Sequence, residues 1–179
     1  MGIAGLAALG LEAPITKLTG LVIVETDGCF VDGVEVATEA TVGHRTLRVK
    51  DYGKIAATFV DVSRGTALRL SPKADARERA RRFASPVASR YAAQLEGYRR
   101  LPERELFDFR IVNLTPPLET LLSRPELRLN CDVCGEEIFN GREIISGRAI
   151  FCQSCEAGGY YVVESRPVTS LQAASIGSV

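Results

Sequence analysis

The spacing of apolar and polar positions changes several times along the chain, and each change marks an element. "GIAGLAALGLE" (2–12) places Ile3, Leu6, Ala7 and Gly10 on one helical stripe, with glycines that weaken a helix but let a neighbouring element come close. "KLTGLVIVET" (17–26) is β-rich and continuously apolar at its centre, the pattern of a central strand covered on both faces. Thr26 or Asp27 then offers an N-cap, and Phe30, Val34 and Ala37 recur at helical spacing, which predicts a helix from about Gly28 to Thr38. "RTLRV", "KIAATFVDV" and "TALRLS" follow, separated by Asp51-Tyr52-Gly53 and Ser63-Arg64-Gly65. Their alternating and β-branched character predicts a three-stranded antiparallel meander.

Residues 74–100 have helical composition. Ser85-Pro86 divides them into two helices, with Pro86 suited to the first turn of the second. In that second helix Tyr91, Leu95 and Tyr98 follow helical spacing and form the stripe expected to be buried. "ELFDFRIVNLT" predicts a last strand, and Pro116-Pro117 and Pro125 mark a joint around a helical turn at Leu118 to Leu122. The expected fold class is α+β: an antiparallel or mixed sheet with packed helices over 1–125, then a small treble-clef or ribbon-like zinc-finger domain over 126–163. A flexible tail with little to bury occupies 164–179.

Composition narrows the function classes. A chain of 179 residues suits one ordinary domain plus an appendage that needs its own source of stability. With Lys+Arg and Asp+Glu both at 22, no global field favours nucleic acid or an anionic membrane. The apolar opening lacks a basic n-region and meets Glu12 and Pro14, unlike a signal peptide, and no apolar run approaches the roughly 18 residues of a membrane span. The expected location is the cytoplasm, where paired cysteines serve as metal ligands more often than as disulfides.

Four of the five cysteines form two matched pairs, Cys131/Cys134 and Cys152/Cys155, with seventeen residues between the pairs. This is the C-x2-C spacing of a zinc site: each turn aims two thiolates at one centre, and the intervening stretch is long enough to form a hairpin and return. Soft thiolates in a closed tetrahedron select Zn²⁺, with iron as the competitor, and two disulfides are the bland alternative. A four-thiolate site has no open position for water or substrate, so one structural Zn²⁺ per chain is expected, its binding free energy holding together a segment too small to fold alone.

The fifth cysteine, Cys29, stands where the predicted second helix starts, a position that favours a thiolate; Asp32 lies one turn on, and His44 follows in a short loop. If that loop folds back over the helix start, Cys29, Asp32 and His44 line one pocket; the bland alternatives are a buried cysteine and a surface histidine.

"VETDGCFVDGVEVAT", "TVGHRTLRVKDYGKIAATF" and the later "LNCDVCGEEI" and "CQSC" resemble, in that order, the formylmethanofuran dehydrogenase E-subunit (FmdE) family. The resemblance runs from the first helix to Tyr161. It implies an α+β core that forms homodimers, a C-terminal zinc finger, and a core cleft lined by cysteine and histidine that holds a metal or small ligand. Cys29 falls on one cleft cysteine, and Gly43-His44 on a loop bordering the cleft. The family's opening His- and Cys-containing stretch has no counterpart in this sequence, and Glu39-Ala40 stands where the family has Gly-Cys. Two ligand sources for a second core metal are thus missing.

The first functional expectation is a zinc-binding accessory protein whose finger docks a protein partner or the other protomer. The alternatives are a nucleic-acid-binding regulator, using the finger and the arginine-rich helices that carry Arg77, Arg79, Arg81, Arg82, Arg90, Arg99 and Arg100, and a thiol-dependent redox enzyme with Cys29 as its centre and His44 as base.

Overall fold

A computed structural model describes residues 1–83, 89–123 and 127–162. The chain divides into two compact units, Met1–Leu122 and Ser123–Val179. Pro125, the Ser85-Pro86 divider and the tail over 164–179 lie outside the described residues.

The first unit is built on a five-stranded sheet in the order β2-β1-β3-β4-β5. β1 (Gly20–Val24) is apolar throughout and lies inside the sheet between β2 (Leu47–Val49) and β3 (Ala57–Asp61). The sequence reading of an antiparallel meander holds for β3 and β4 (Thr66–Pro72), which pair from Ala57↔Leu70 to Asp61↔Thr66, but not for β2. β2 runs parallel to β1, with Val22 opposite Leu47. The reason is the helix between them. α2 (Cys29–Thr38) carries the chain back along the sheet, and a strand–helix–strand crossover lands beside its first strand in parallel. β5 (Phe107–Val112) adds antiparallel to β4 and forms the other edge.

One face of the sheet receives α1 (Gly2–Leu9) and α2, closing a core of Leu6, Leu9, Val22, Val24, Val34, Leu47, Phe59 and Leu70. The buried side of α1 is Gly2, Ala4, Gly5, Leu6 and Leu9, whereas Ile3 and Ala7, placed by periodicity on the stripe, are exposed. Close approach decides this. A Cβ on Gly2 would lie 2.6 Å from the Cβ of Ala37, and one on Gly5 would overlap the Phe59 ring, so the smallest residues face inward. α2 is capped by Gly28 at φ 73°, with no side-chain cap from Thr26 or Asp27. The opposite face is smaller: Leu21, Val60 and Ala67 pack with Leu118 and Leu121 of α6 (Leu118–Leu122).

α3 (Ala76–Arg81) and α4 (Arg90–Arg100) pack on each other, and the single turn α5 (Glu103–Leu106) leads into β5. α4 is capped by Ser89, whose hydroxyl accepts from the Ala92 amide at 3.3 Å. Two residues of its expected stripe are exposed, Tyr91 at 77% and Leu95 at 48%, and the third, Tyr98, is half-buried. The residue turned inward is Gly97, where a Cβ would overlap the backbone of Ala80, so α4 meets α3 backbone to backbone.

Inside the sheet sits an ion pair that the sequence reading did not single out. Arg69 on β4 donates from Nε and Nη2 to the two carboxylate oxygens of Glu25 at 2.5 and 2.7 Å. Asp61, at the end of β3, is equally enclosed; its carboxylate accepts from the Ser63 amide and hydroxyl and the Arg64 amide at 2.7 to 3.0 Å, closing the β3–β4 turn.

The second unit contains two short hairpins and a helix. β6 (Arg128–Asn130) pairs with β7 (Glu137–Phe139), and β8 (Ile144–Ser146) with β9 (Ala149–Phe151), followed by α7 (Gln153–Ala157). A knuckle, a hairpin and a helix in that order correspond to the treble-clef option.

Candidate metal centre

The turn between β6 and β7 carries the first cysteine pair. Cys131 N donates to Glu136 O and Gly135 N to Cys131 O, both at 2.9 Å, and Gly135 takes φ 76°, a left-handed turn that a glycine makes without strain. The second pair spans the start of α7: Cys152 is its N-cap, and the Cys155 amide donates to Cys152 O at 3.1 Å. Asp132, lying between the first two cysteines, joins the halves. Its amide donates to Ile150 O at 2.8 Å, and its carboxylate accepts from the Ile150 amide at 2.7 Å. The sequence reading missed this residue, although an Asp beside a turn is a known backbone binder.

All four cysteines are free thiols, and their sulfurs lie within 4.8 Å of one another. A tetrahedral ion with metal–sulfur bonds of about 2.3 Å has edges of about 3.8 Å. Cys134 Sγ and Cys152 Sγ stand 3.9 Å apart, so this donor set fits one tetrahedral metal. Among the described residues no other group of three or more His, Cys, Asp or Glu side chains converges in this way.

The surroundings prepare the sulfurs for ionisation unevenly. The amides of Cys134 and Cys152 donate toward Cys131 and hold its thiol down at about 6. The Ser154 hydroxyl, 3.1 Å from Cys152 Sγ, together with the Cys155 amide, lowers Cys152. For Cys134 the Glu136 amide pulls down, but burial and the Cys131 sulfur outweigh it. Cys155 is pushed up to about 12, first by its interaction with Cys152 and then by burial and the other sulfurs. Four sulfurs this close resist full ionisation until a cation offsets their mutual repulsion.

Cys29, Asp32 and His44 are placed differently from the sequence expectation. Cys29 is exposed at the start of α2, beyond the C-terminal end of β1, with Asp32 exposed one turn on. His44 is also exposed, its Nδ1 3.0 Å from the Thr41 hydroxyl, in the loop that enters β2. Because α2 runs back along β1 before β2 starts, Cys29 and His44 sit at opposite ends of a ten-residue helix, about 15 Å long. The structure does not bring them into one pocket. A different groove, of about 570 Å³, opens among α1, α2, α3, α4, α5 and β5, with Phe30, Tyr98 and Phe107 in its wall beside Arg77 and Glu103.

Three of the arginines on these helices have acidic partners: Arg79 pairs with Asp75 and Glu105, Arg82 with Glu78, and Arg100 with Glu96. Among the described residues no helix is long and apolar enough to cross a membrane.

The profile of the family described as FmdE, molybdenum formylmethanofuran dehydrogenase operon, matches residues 1–108. The chain belongs to the FmdE family. Its fold is also similar to that of a tungsten formylmethanofuran dehydrogenase FmdE-like protein from Syntrophus aciditrophicus. The TM-score is 0.53 and the identity 22%, over 90% of this chain and 82% of that one. A probable S-adenosyl-L-methionine-binding protein of Archaeoglobus fulgidus is 27% identical over 192 aligned residues, covering 94% of this FmdE-family chain. The chain spans about half, 50%, of that relative's length.

Proposed function

We propose that this FmdE-family chain is a cytoplasmic zinc-binding accessory protein, in which one structural Zn²⁺ on Cys131, Cys134, Cys152 and Cys155 holds the C-terminal module together and lets it dock a protein partner. The observation that carries the reading is the convergence of four free thiols on one tetrahedral centre. The metal neutralises sulfurs that repel one another and supplies the stability that hairpins of three-residue strands lack. Four thiolates fill the coordination sphere, which suits a structural ion rather than a catalytic one. The acidic partners of Arg79, Arg82 and Arg100 argue against a phosphate-tracking role, and the separation of the exposed Cys29 from His44 by the length of α2 argues against thiol catalysis with His44 as base. Elemental analysis of the purified chain tests the proposal. About one zinc per chain is expected, falling to none in Cys131→Ser; no metal in the unaltered chain, or undiminished zinc in the variant, would refute it.

The groove favours a second reading, a small-ligand-binding core. Its aromatic wall, with Arg77 and Glu103 both in the lining, suits a planar, zwitterionic ligand, and the Archaeoglobus relative is named for binding S-adenosyl-L-methionine. Calorimetric titration with S-adenosylmethionine decides this reading. Saturable heat that weakens in Phe107→Ala supports it, and no heat at saturating ligand removes it.

A further inference from the structure

We propose that Arg77, Arg99 and the Tyr98 hydroxyl form a carboxylate-binding wall in the core groove, gripping the acid end of a ligand whose planar body lies against Phe30 and Ile55. The assignment rests on the small-ligand reading of that groove, and adds which end of the ligand meets which wall. Segregation of the lining carries it. α1, α2 and the loop before β3 contribute only apolar side chains, Ile3, Ala4, Phe30 and Ile55, whereas every charged side chain comes from α3, α4 and α5. A groove that is apolar on one side and charged on the other takes a ligand with the same division.

The charged wall is cationic. Two arginines stand against one glutamate, Glu103, in the lining. Among the described residues neither Arg77 nor Arg99 stands in an ion pair, although Arg79, Arg82 and Arg100 on the same helices do. Tyr98 adds a third donor. Gln94 Nε2 donates to the Tyr98 oxygen at 3.0 Å, which leaves the phenol hydrogen for another acceptor. The close contact of Gly97 with Ala80 holds α4 against α3, so that Tyr98 and Arg99, the next two residues, open on the groove that Arg77 lines from α3.

Guanidinium forks and a hydroxyl match a carboxylate, whose two oxygens accept several hydrogen bonds at once. Glu103 supplies the counter-charge for one cation, the ammonium of an amino-acid end. Among the described residues no second acidic side chain lines the groove to offset a sulfonium. The ligand class is therefore an amino acid carrying a planar, uncharged body. S-adenosylhomocysteine, which lacks the sulfonium charge, fits this wall at least as well as S-adenosylmethionine.

Calorimetric titration of the full zinc-loaded chain tests the wall, with circular dichroism to confirm that each variant is folded. The probes are S-adenosylmethionine, S-adenosylhomocysteine, decarboxylated S-adenosylmethionine, and methylthioadenosine, which lacks the amino-acid end. S-adenosylhomocysteine is expected to bind at least as tightly as S-adenosylmethionine, and the decarboxylated form about tenfold or more weakly. The ratio of S-adenosylmethionine to methylthioadenosine affinity reads the amino-acid end alone, and should fall about tenfold in Arg77→Gln and in Arg99→Gln. A decarboxylated form that binds as well as its parent, S-adenosylhomocysteine binding more weakly than S-adenosylmethionine, or a ratio unchanged in both variants would overturn the proposal and leave the groove a small-ligand site. No heat from any of the probes would remove the small-ligand reading and the proposal together.

Discussion

Replacing Arg69 by Met leaves the Glu25 carboxylate without its bidentate partner inside the sheet, and the consequence can be worked from the contacts. Glu25 is only 8% exposed, and Arg69, through its hydrogen bonds and charge, holds the Glu25 carboxyl below its ordinary value. In Arg69→Met the methionine keeps most of the apolar stem. The carboxylate must then stay charged without that partner or take up a proton. Protonating a glutamate of ordinary pKa at pH 7 costs about 3.5 kcal/mol, which sets the ceiling. Breaking one side of a buried pair has a similar cost, so a loss of about 2–3.5 kcal/mol is expected at pH 7. The sign with pH follows. In the unaltered chain the depressed carboxyl contributes stability above the ordinary glutamate range, and that contribution is lost as pH falls through the lower folded value. In the variant, burial raises the carboxyl, and acid relieves the penalty. The gap between the two proteins therefore narrows from pH 7 to about pH 4. Urea denaturation at both pH values measures it. A gap at pH 7 below about 0.5 kcal/mol, or one that does not narrow in acid, would refute the reasoning.

Gly5→Ala sets two effects against each other: a helix-propensity gain of about 1 kcal/mol and an overpacking cost of about 1–3 kcal/mol, because the new Cβ overlaps the Phe59 ring. Thermal unfolding should show a net loss, and a stabilised variant would mean that α1 can retreat from β3. Asp61→Ala removes an acceptor that serves three donors at the β3–β4 turn and should cost about 2 kcal/mol at neutral pH in denaturant titration. The Ser63 hydroxyl, then the Arg64 and Ser63 amides, hold Asp61 below the usual carboxylate range, so its contribution is present above about pH 4 and fades below it as the carboxylate protonates.

The cysteine module was legible because its information is local: two C-x2-C turns and a returning hairpin specify one centre whatever surrounds them. β1 and α2 were legible through a continuous apolar run and a helical period. The placement of β2 was not, since alternation identifies a strand without naming its neighbour; the crossover rule applied to α2 carries that information. The same crossover separates Cys29 from His44, two residues fifteen positions apart that lie at opposite ends of a helix. In α4 the aromatic stripe outweighed Gly97, yet the glycine marks the packed side, because only a residue without Cβ lets two helix backbones come this close. The role of Asp132 was hidden because its partner Ile150 is eighteen residues away, on β9.

X-ray absorption at the zinc edge on the purified, metal-loaded chain probes the four-cysteine centre directly. Four sulfur scatterers at about 2.3 Å, with no nitrogen or oxygen in the first coordination sphere, are the expected result. Fewer than four sulfurs, a water or imidazole in their place, or a chain whose second unit stays folded with its thiols open to alkylation after zinc has been stripped, would contradict it.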